Sequence, residues 1–193
     1  LGKLGDGGKW ICDPHRIPKE SCLVYSIGSN GKFQFEEEVL ERVSKSCEVH
    51  TFDIAKQNRG KSFAEEAEKR GVYFHHWGIG AREETGPHLK TFKDIMVALH
   101  HEQKTVDVMK IDCEKCEYKQ FREWLQDWEE LGMTVRQVML EIHNSDLPGV
   151  VDLFKAFQNY GYVMFHKEAN YENQGNCIEA AFLLLSKGFQ KLE

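Results

Sequence analysis

Seven short apolar runs punctuate this chain, and segments of helical period separate the first six. The runs are CLVYSI (22–27), CEVHTFD (47–53), VYFHHW (72–77), VDVMKID (106–112), QVMLEIH (137–143), YVMFHKE (162–168) and IEAAFLLLS (178–186). Their length and β-branched content suit strands covered on both faces. Between them, residues 33–44 set Phe35, Val39, Leu40 and Val43 on one helical face. Residues 118–131 do the same with Phe121, Trp124, Leu125, Trp128 and Leu131. Residues 62–70, a stretch through Ile95 to Leu99, and residues 147–160 complete the helical segments. Such alternation implies an α/β fold: a mostly parallel seven-stranded sheet with helices on both faces. No helix separates the last two runs. A parallel crossover usually contains one, so these runs read as a hairpin with an antiparallel last strand. Residues 1–193 read as one domain, with residues 1–20 as a Gly-rich lead-in lying across it.

A length of 193 residues is enough for a full core. The net charge of −6 argues against a nucleic-acid partner, which needs a basic surface to displace counterions. No stretch approaches the ~20 apolar residues of a membrane span. Cys113 and Cys116 form a C-x-x-C without the second half of a zinc site. They read as structural, either as thiols or in disulfides. Cys22 and Cys47 border apolar runs, where cysteine is usually a small buried residue.

Functional residues are expected at the carboxyl ends of the strands, where open α/β sheets bind ligands. The run 106–112 breaks there into Asp112, Glu114 and Glu117. The turn after the first run, SIGSNG, offers Gly28, Ser29, Asn30 and Gly31, with glycines that let a ligand approach the backbone. Asp53 ends the second run, 22 residues beyond Gly31, where a carboxylate can accept both ribose hydroxyls of a nucleoside. The turn departs from G-x-G-x-x-G, which weakens a nicotinamide or flavin reading. After the third run, Trp77 and Gly78 either wall an adenine ring or, for Trp77, belong to the core. His75 and His76 point to opposite faces of one strand and read as structural.

KLGDGGKWICDP, CLVYSIGSNG, HTFD, DVMKIDCEKCEY and VMLEIH, in this order and spacing, resemble one family over nearly the whole chain. The layout is similar to a class I S-adenosylmethionine-dependent methyltransferase, and more closely to FkbM-type domains and the methyltransferase-like protein 24 group. The resemblance implies a Rossmann-like sheet and S-adenosyl-L-methionine as cofactor. It assigns Gly28, Ser29, Asn30 and Gly31 to the cofactor's amino-acid part, Asp53 to the ribose, and Trp77 and Gly78 to the adenine. It sets Asp112 near the cofactor amino group and the acceptor, and lets Asp6 in GDGG fold over the cofactor. One departure stands out: the family carries D-x-E-G-x-E, and this chain has Lys115 at the glycine.

By the same resemblance, the acceptor is a hydroxyl on a small molecule or glycan. An alcohol is a poor nucleophile at neutral pH, so a base or a metal must take its proton. Glu141 and His143 are two apart on one strand and share a face. His143 is the expected general base, oriented by Asp112 or Glu141; a positioning role is its alternative. No metal is required by this reading, although Asp112, Glu141 and His143 could hold a divalent cation. Residues 170–177 and Glu179 are expected to cover the acceptor pocket. Two other classes compete: an NAD(P)-dependent oxidoreductase, and a domain that binds S-adenosylmethionine without turnover. The six cysteines, an N-terminus that is not Met, and the resemblance point to the secretory pathway or Golgi lumen if a signal or anchor was removed, and otherwise to the cytoplasm.

Overall fold

The structure, a computed structural model, describes residues 1–2, 8–54, 60–84, 86–143, 147–170 and 177–186. Asp6 lies outside the described residues, as do residues 171–176 of the expected pocket cover. Strands β1 (Leu23–Ile27), β2 (Glu48–Phe52), β3 (Tyr73–His75), β4 (Val108–Ile111), β5 (Gln137–His143), β6 (Tyr162–Asn170) and β7 (Cys177–Leu184) form one sheet in the order 6-7-5-4-1-2-3. Strands β3, β2, β1, β4 and β5 run parallel. β7 is antiparallel to both β5 and β6, as the missing helix predicts.

Helices α1 (Gln34–Glu38, continued by a π turn over Val39–Val43), α2 (Gly60–Glu68), α3 (Phe92–Ala98), α4 (Cys116–Glu130) and α5 (Leu147–Tyr160) cover the sheet. The period-two alternation of each strand sorts its side chains into two cores. Tyr25, Ile27, Met109, Ile111, Leu140 and Ile142 pack with α3, α4 and α5 through Ile95, Trp124, Trp128 and Phe157. Val24, Val49, Val108 and Met139 pack on the other face with Phe35, Val39 and Val43 from the α1 segment and Ala67 of α2.

Two strands, β3 and β4, are three residues shorter than their apolar runs. The backbone turns after His75, where the Trp77 N–H donates to the His75 carbonyl at 2.8 Å, so β3 ends there. Gly78–Ile79 then pairs with Leu89–Lys90 in a separate two-stranded ladder. Asp107 interrupts the fourth run: its carboxylate accepts the Leu23 N–H at 3.1 Å. Thr105–Val106 consequently pairs with Thr134–Val135 instead of joining β4.

Cys22 and Cys47 immediately precede β1 and β2 and are joined by a disulfide. Strand order reverses between β1 and β4. That switch point opens a crevice at the carboxyl edge, beside the loops after β1, β2, β4 and β5. Among the described residues, no helix is long and apolar enough to cross a membrane.

Candidate functional site

A cavity of about 950 Å³ occupies that crevice, within the size range of ligand pockets. The turn after β1 forms its floor. Gly28 adopts φ +79° and lies so close to β4 that an added Cβ would sit 1.7 Å from the Asp112 carbonyl oxygen. Only glycine fits there. The Gly28 N–H donates to the Phe52 carbonyl at 2.9 Å, and the Lys110 ammonium donates to the Gly28 carbonyl at 2.7 Å. The turn is thus tied to β2 and β4 together. Gly31, at φ +72°, faces the Phe63 ring and shapes the turn from outside the cavity lining.

Asp53 lies just beyond β2 and lines the cavity. It accepts the Asn30 N–H at 2.6 Å, and a carboxylate has further acceptor sites for a diol. Gly28, Ser29, Asn30, Asp53, Gly78 and Asp112 come together around one space. Trp77 does not line it. Its ring stacks over His75 at 4.9 Å and over Phe52 at 6.5 Å, with the Lys90 ammonium 5.0 Å from the indole. The apolar wall comes instead from Phe52, Ile54 and Ile79. His75 packs among His50, Phe52 and Trp77, and His76 packs against His88.

At the far side of the cavity, acids surround His143. Its Nε2 lies 3.5 Å from Asp112, 3.7 Å from Glu114 and 3.8 Å from Glu141. Its Nδ1 lies 3.3 Å from Glu117, which also accepts the His143 backbone N–H at 2.9 Å. The Glu117 hydrogen bond, reinforced by the charges of Glu117, Asp112 and Glu114, outweighs burial and raises the imidazole pKa to about 9. At neutral pH His143 therefore carries its proton. This qualifies the expectation of a ready base, because the proton must leave before His143 can accept another. Burial holds the Asp112 carboxyl above its ordinary range against the opposing pull of Lys110. Burial likewise lowers the Lys110 pKa, with Asp112 opposing.

Lys9 reaches this cluster from the lead-in segment. Its buried ammonium lies 2.5 Å from Glu179 and 3.3 Å from Glu141. Burial pushes the Glu179 pKa up to about 7, with Lys9 opposing and Glu141 reinforcing. The shared lysine keeps Glu141 below its ordinary value despite burial. Periodicity gives no sign of Lys9, Glu117 or Glu179 joining one cluster, since their partners are distant in sequence. Lys110 did carry a signal: a lysine inside the apolar run VMKI must find buried partners.

Lys115 adopts φ 84°, ψ 5°, and Glu114 adopts φ 54°. The left-handed backbone that glycine would favour is therefore present at Lys115. A disulfide between Cys113 and Cys116 closes the loop around both residues.

The methyltransferase-domain family matches residues 1–184. No curated protein matches the chain in sequence. Among solved structures, the Methanococcus jannaschii fibrillarin pre-rRNA processing protein is similar with a TM-score of 0.61 at 8% identity, over 93% of this chain and 72% of that one. Aeropyrum pernix fibrillarin with natively bound S-adenosyl-L-methionine gives 0.57 at 9% identity, over 86% and 67%. M. capricolum TrmK in complex with S-adenosyl-homocysteine gives 0.54 at 12% identity, over 88% and 65%. These likenesses concern the fold. The family match sets aside the nicotinamide alternative. The chain belongs to the methyltransferase-domain family and is an S-adenosylmethionine-dependent methyltransferase.

Proposed function

We propose that this methyltransferase belongs to the FkbM-type, methyltransferase-like protein 24 group and methylates a hydroxyl oxygen of a small molecule or glycan. The observation that carries the reading is the cluster of Asp112, Glu141 and His143 at one side of the cavity. Transfer from a sulfonium is an in-line displacement in which the bound cofactor supplies the electrophilic methyl. The protein must align the acceptor oxygen and remove its proton. His143 is the proposed acceptor of that proton through Nε2 once it is neutral. Asp112 and Glu141 flank Nε2 and orient the ring. Gly28, Ser29 and Asn30 are proposed to hold the cofactor's amino-acid part, with Gly31 shaping their turn, Asp53 to bind the ribose, and Gly78 with Ile54 and Ile79 to bind the adenine.

The acids along this wall also bear on the acceptor class. Asp53, Asp112, Glu114 and Glu141 line the cavity against Lys32 and Lys110, which favours a cationic cofactor and a neutral acceptor over a polyanion. This supports the reading of no nucleic-acid partner. A second reading has its own support: ligand atoms of Asp112, Glu114 and His143 lie within 4.8 Å of one another, so a divalent cation could replace the base. Full activity after chelator treatment would remove that reading. Two disulfides suit an oxidising compartment and support the secretory pathway.

The test is transfer of labelled methyl from S-adenosylmethionine into fractionated extract. Label in glycans or hydroxylated metabolites is expected. Label confined to RNA or to protein amines would overturn the acceptor class.

A further inference from the structure

We propose that Glu48, His50 and His101 form a divalent transition-metal site, suited to Zn²⁺, at the sheet edge opposite the cofactor cavity. Glu48 opens β2, and His50, two residues on, projects from the same face. His101 follows α3, where its N–H donates to the Met96 carbonyl at 2.9 Å and turns the chain back toward β2. Both imidazoles aim Nε2 at one carboxylate oxygen. His50 Nε2 lies 2.8 Å, and His101 Nε2 3.2 Å, from Glu48 Oε1. The three ligand atoms lie within 4.8 Å of one another. Tetrahedral zinc with bonds near 2.0–2.2 Å spaces its ligands about 3.3 Å apart, so small side-chain rotations admit the ion.

The outer nitrogens favour a metal. His50 Nδ1 lies 2.8 Å from His75 Nε2, and His101 Nδ1 lies 2.6 Å from the Tyr25 hydroxyl. Metal-binding histidines show this arrangement: the second ring nitrogen donates to a fixed partner and leaves Nε2 free to ligate. Each ligand here has the Nδ1–H tautomer within reach, with His75 Nε2 and the Tyr25 oxygen accepting. Both ligating rings are buried, while Glu48 is 41% exposed at its side chain. Glu48 lines a surface cavity of about 480 Å³ with Ser21, Ser46 and Lys104, which gives the ion an entry and the fourth position a water. The Lys104 ammonium, 3.8 Å from the other Glu48 oxygen, is half exposed and can swing away. Glu48 and Asp53 stand at opposite ends of β2, roughly 16 Å apart along an extended chain. The ion would clamp β2 to the segment after α3 and take no part in methyl transfer.

The test is calorimetric titration of chelator-stripped protein with Zn²⁺, alongside Co²⁺ absorption to report coordination. Glu48→Gln and His101→Ala should each weaken the binding at least ~100-fold, the upper end of what the loss of an outer-shell partner costs. Tyr25→Phe keeps all three ligands and should weaken it by about 10–100-fold. His143→Ala should leave it unchanged, which separates this site from the acids at the cofactor edge. Zn²⁺ should raise the melting temperature of wild type but not of Glu48→Gln, whose fold is checked by circular dichroism. The proposal fails if wild type takes up no Zn²⁺, or if its binding survives Glu48→Gln and His101→Ala at wild-type affinity.

Discussion

The pKa of His143 makes a demanding prediction about pH. At a pKa of about 9, roughly 1% of His143 is neutral at pH 7 and half is neutral at pH 9. If neutral Nε2 accepts the hydroxyl proton, kcat/KM should climb about tenfold per pH unit between pH 6 and 8 and level off above ~9. The rise from pH 7 to pH 9 is then about 50-fold. Glu117→Gln removes the largest cause of the raised pKa yet keeps an oxygen for the His143 N–H. The rising limb should move to lower pH, and activity at pH 7 should increase. Stability should move in the opposite direction. The folded pKa lies above the ordinary 6.5, so the stabilisation is complete below pH 6.5 and lost as pH rises through 9. Its size is at most ~3 kcal/mol. Initial rates of methyl transfer from pH 5.5 to 10, with urea unfolding at the same pH values, measure both. A flat profile from pH 6 to 9, or a limb centred near pH 5 that Glu117→Gln leaves in place, would refute His143 as the base.

Other outcomes are specific. Asp53→Ala removes the proposed ribose acceptor and the partner of the Asn30 N–H, and should weaken S-adenosylmethionine binding by about 10–100-fold in calorimetry. Lys115→Gly relieves a left-handed non-glycine residue and should stabilise the protein by up to ~1 kcal/mol in denaturant unfolding; a loss of stability would contradict the strain assigned to that position. Lys9→Met leaves Glu141 and Glu179 buried without their cation and should cost about 3–5 kcal/mol at neutral pH, with less lost in mild acid as the carboxyls protonate. Thiol titration of denatured, non-reduced protein should return two thiols, from Cys12 and Cys177, and six would exclude both disulfides.

The sheet was legible because burial on both faces writes itself into the chain as short apolar runs, and the missing last helix marks β7 as antiparallel. The carboxyl-edge location of Gly28, Asp53 and Asp112 followed from strand direction alone. Side-chain partners were less legible. Lys9 meets Glu179 across 170 residues, and no local pattern encodes such a contact. Trp77 read equally well as wall or core, because a tight turn after His75 decides its direction and short apolar runs do not reveal where a strand ends. The Cys22–Cys47 pairing becomes visible only with the register, which sets Leu23 opposite Glu48 and so brings the preceding cysteines together. The charge state of His143 depended on Glu117, which stands in the first turn of α4 and meets His143 across 26 residues of chain.

The most direct test of oxygen methylation is to identify the atom that receives the methyl. The protein would be supplied with S-adenosylmethionine carrying a ¹³C methyl and the active extract fraction, and the product's methyl connectivity read by NMR. A methyl carbon bonded to a hydroxyl-derived oxygen is expected, absent from the product of the His143→Ala protein. A methyl bonded to nitrogen or carbon, or an unchanged yield of O-methyl product from His143→Ala, would contradict that expectation.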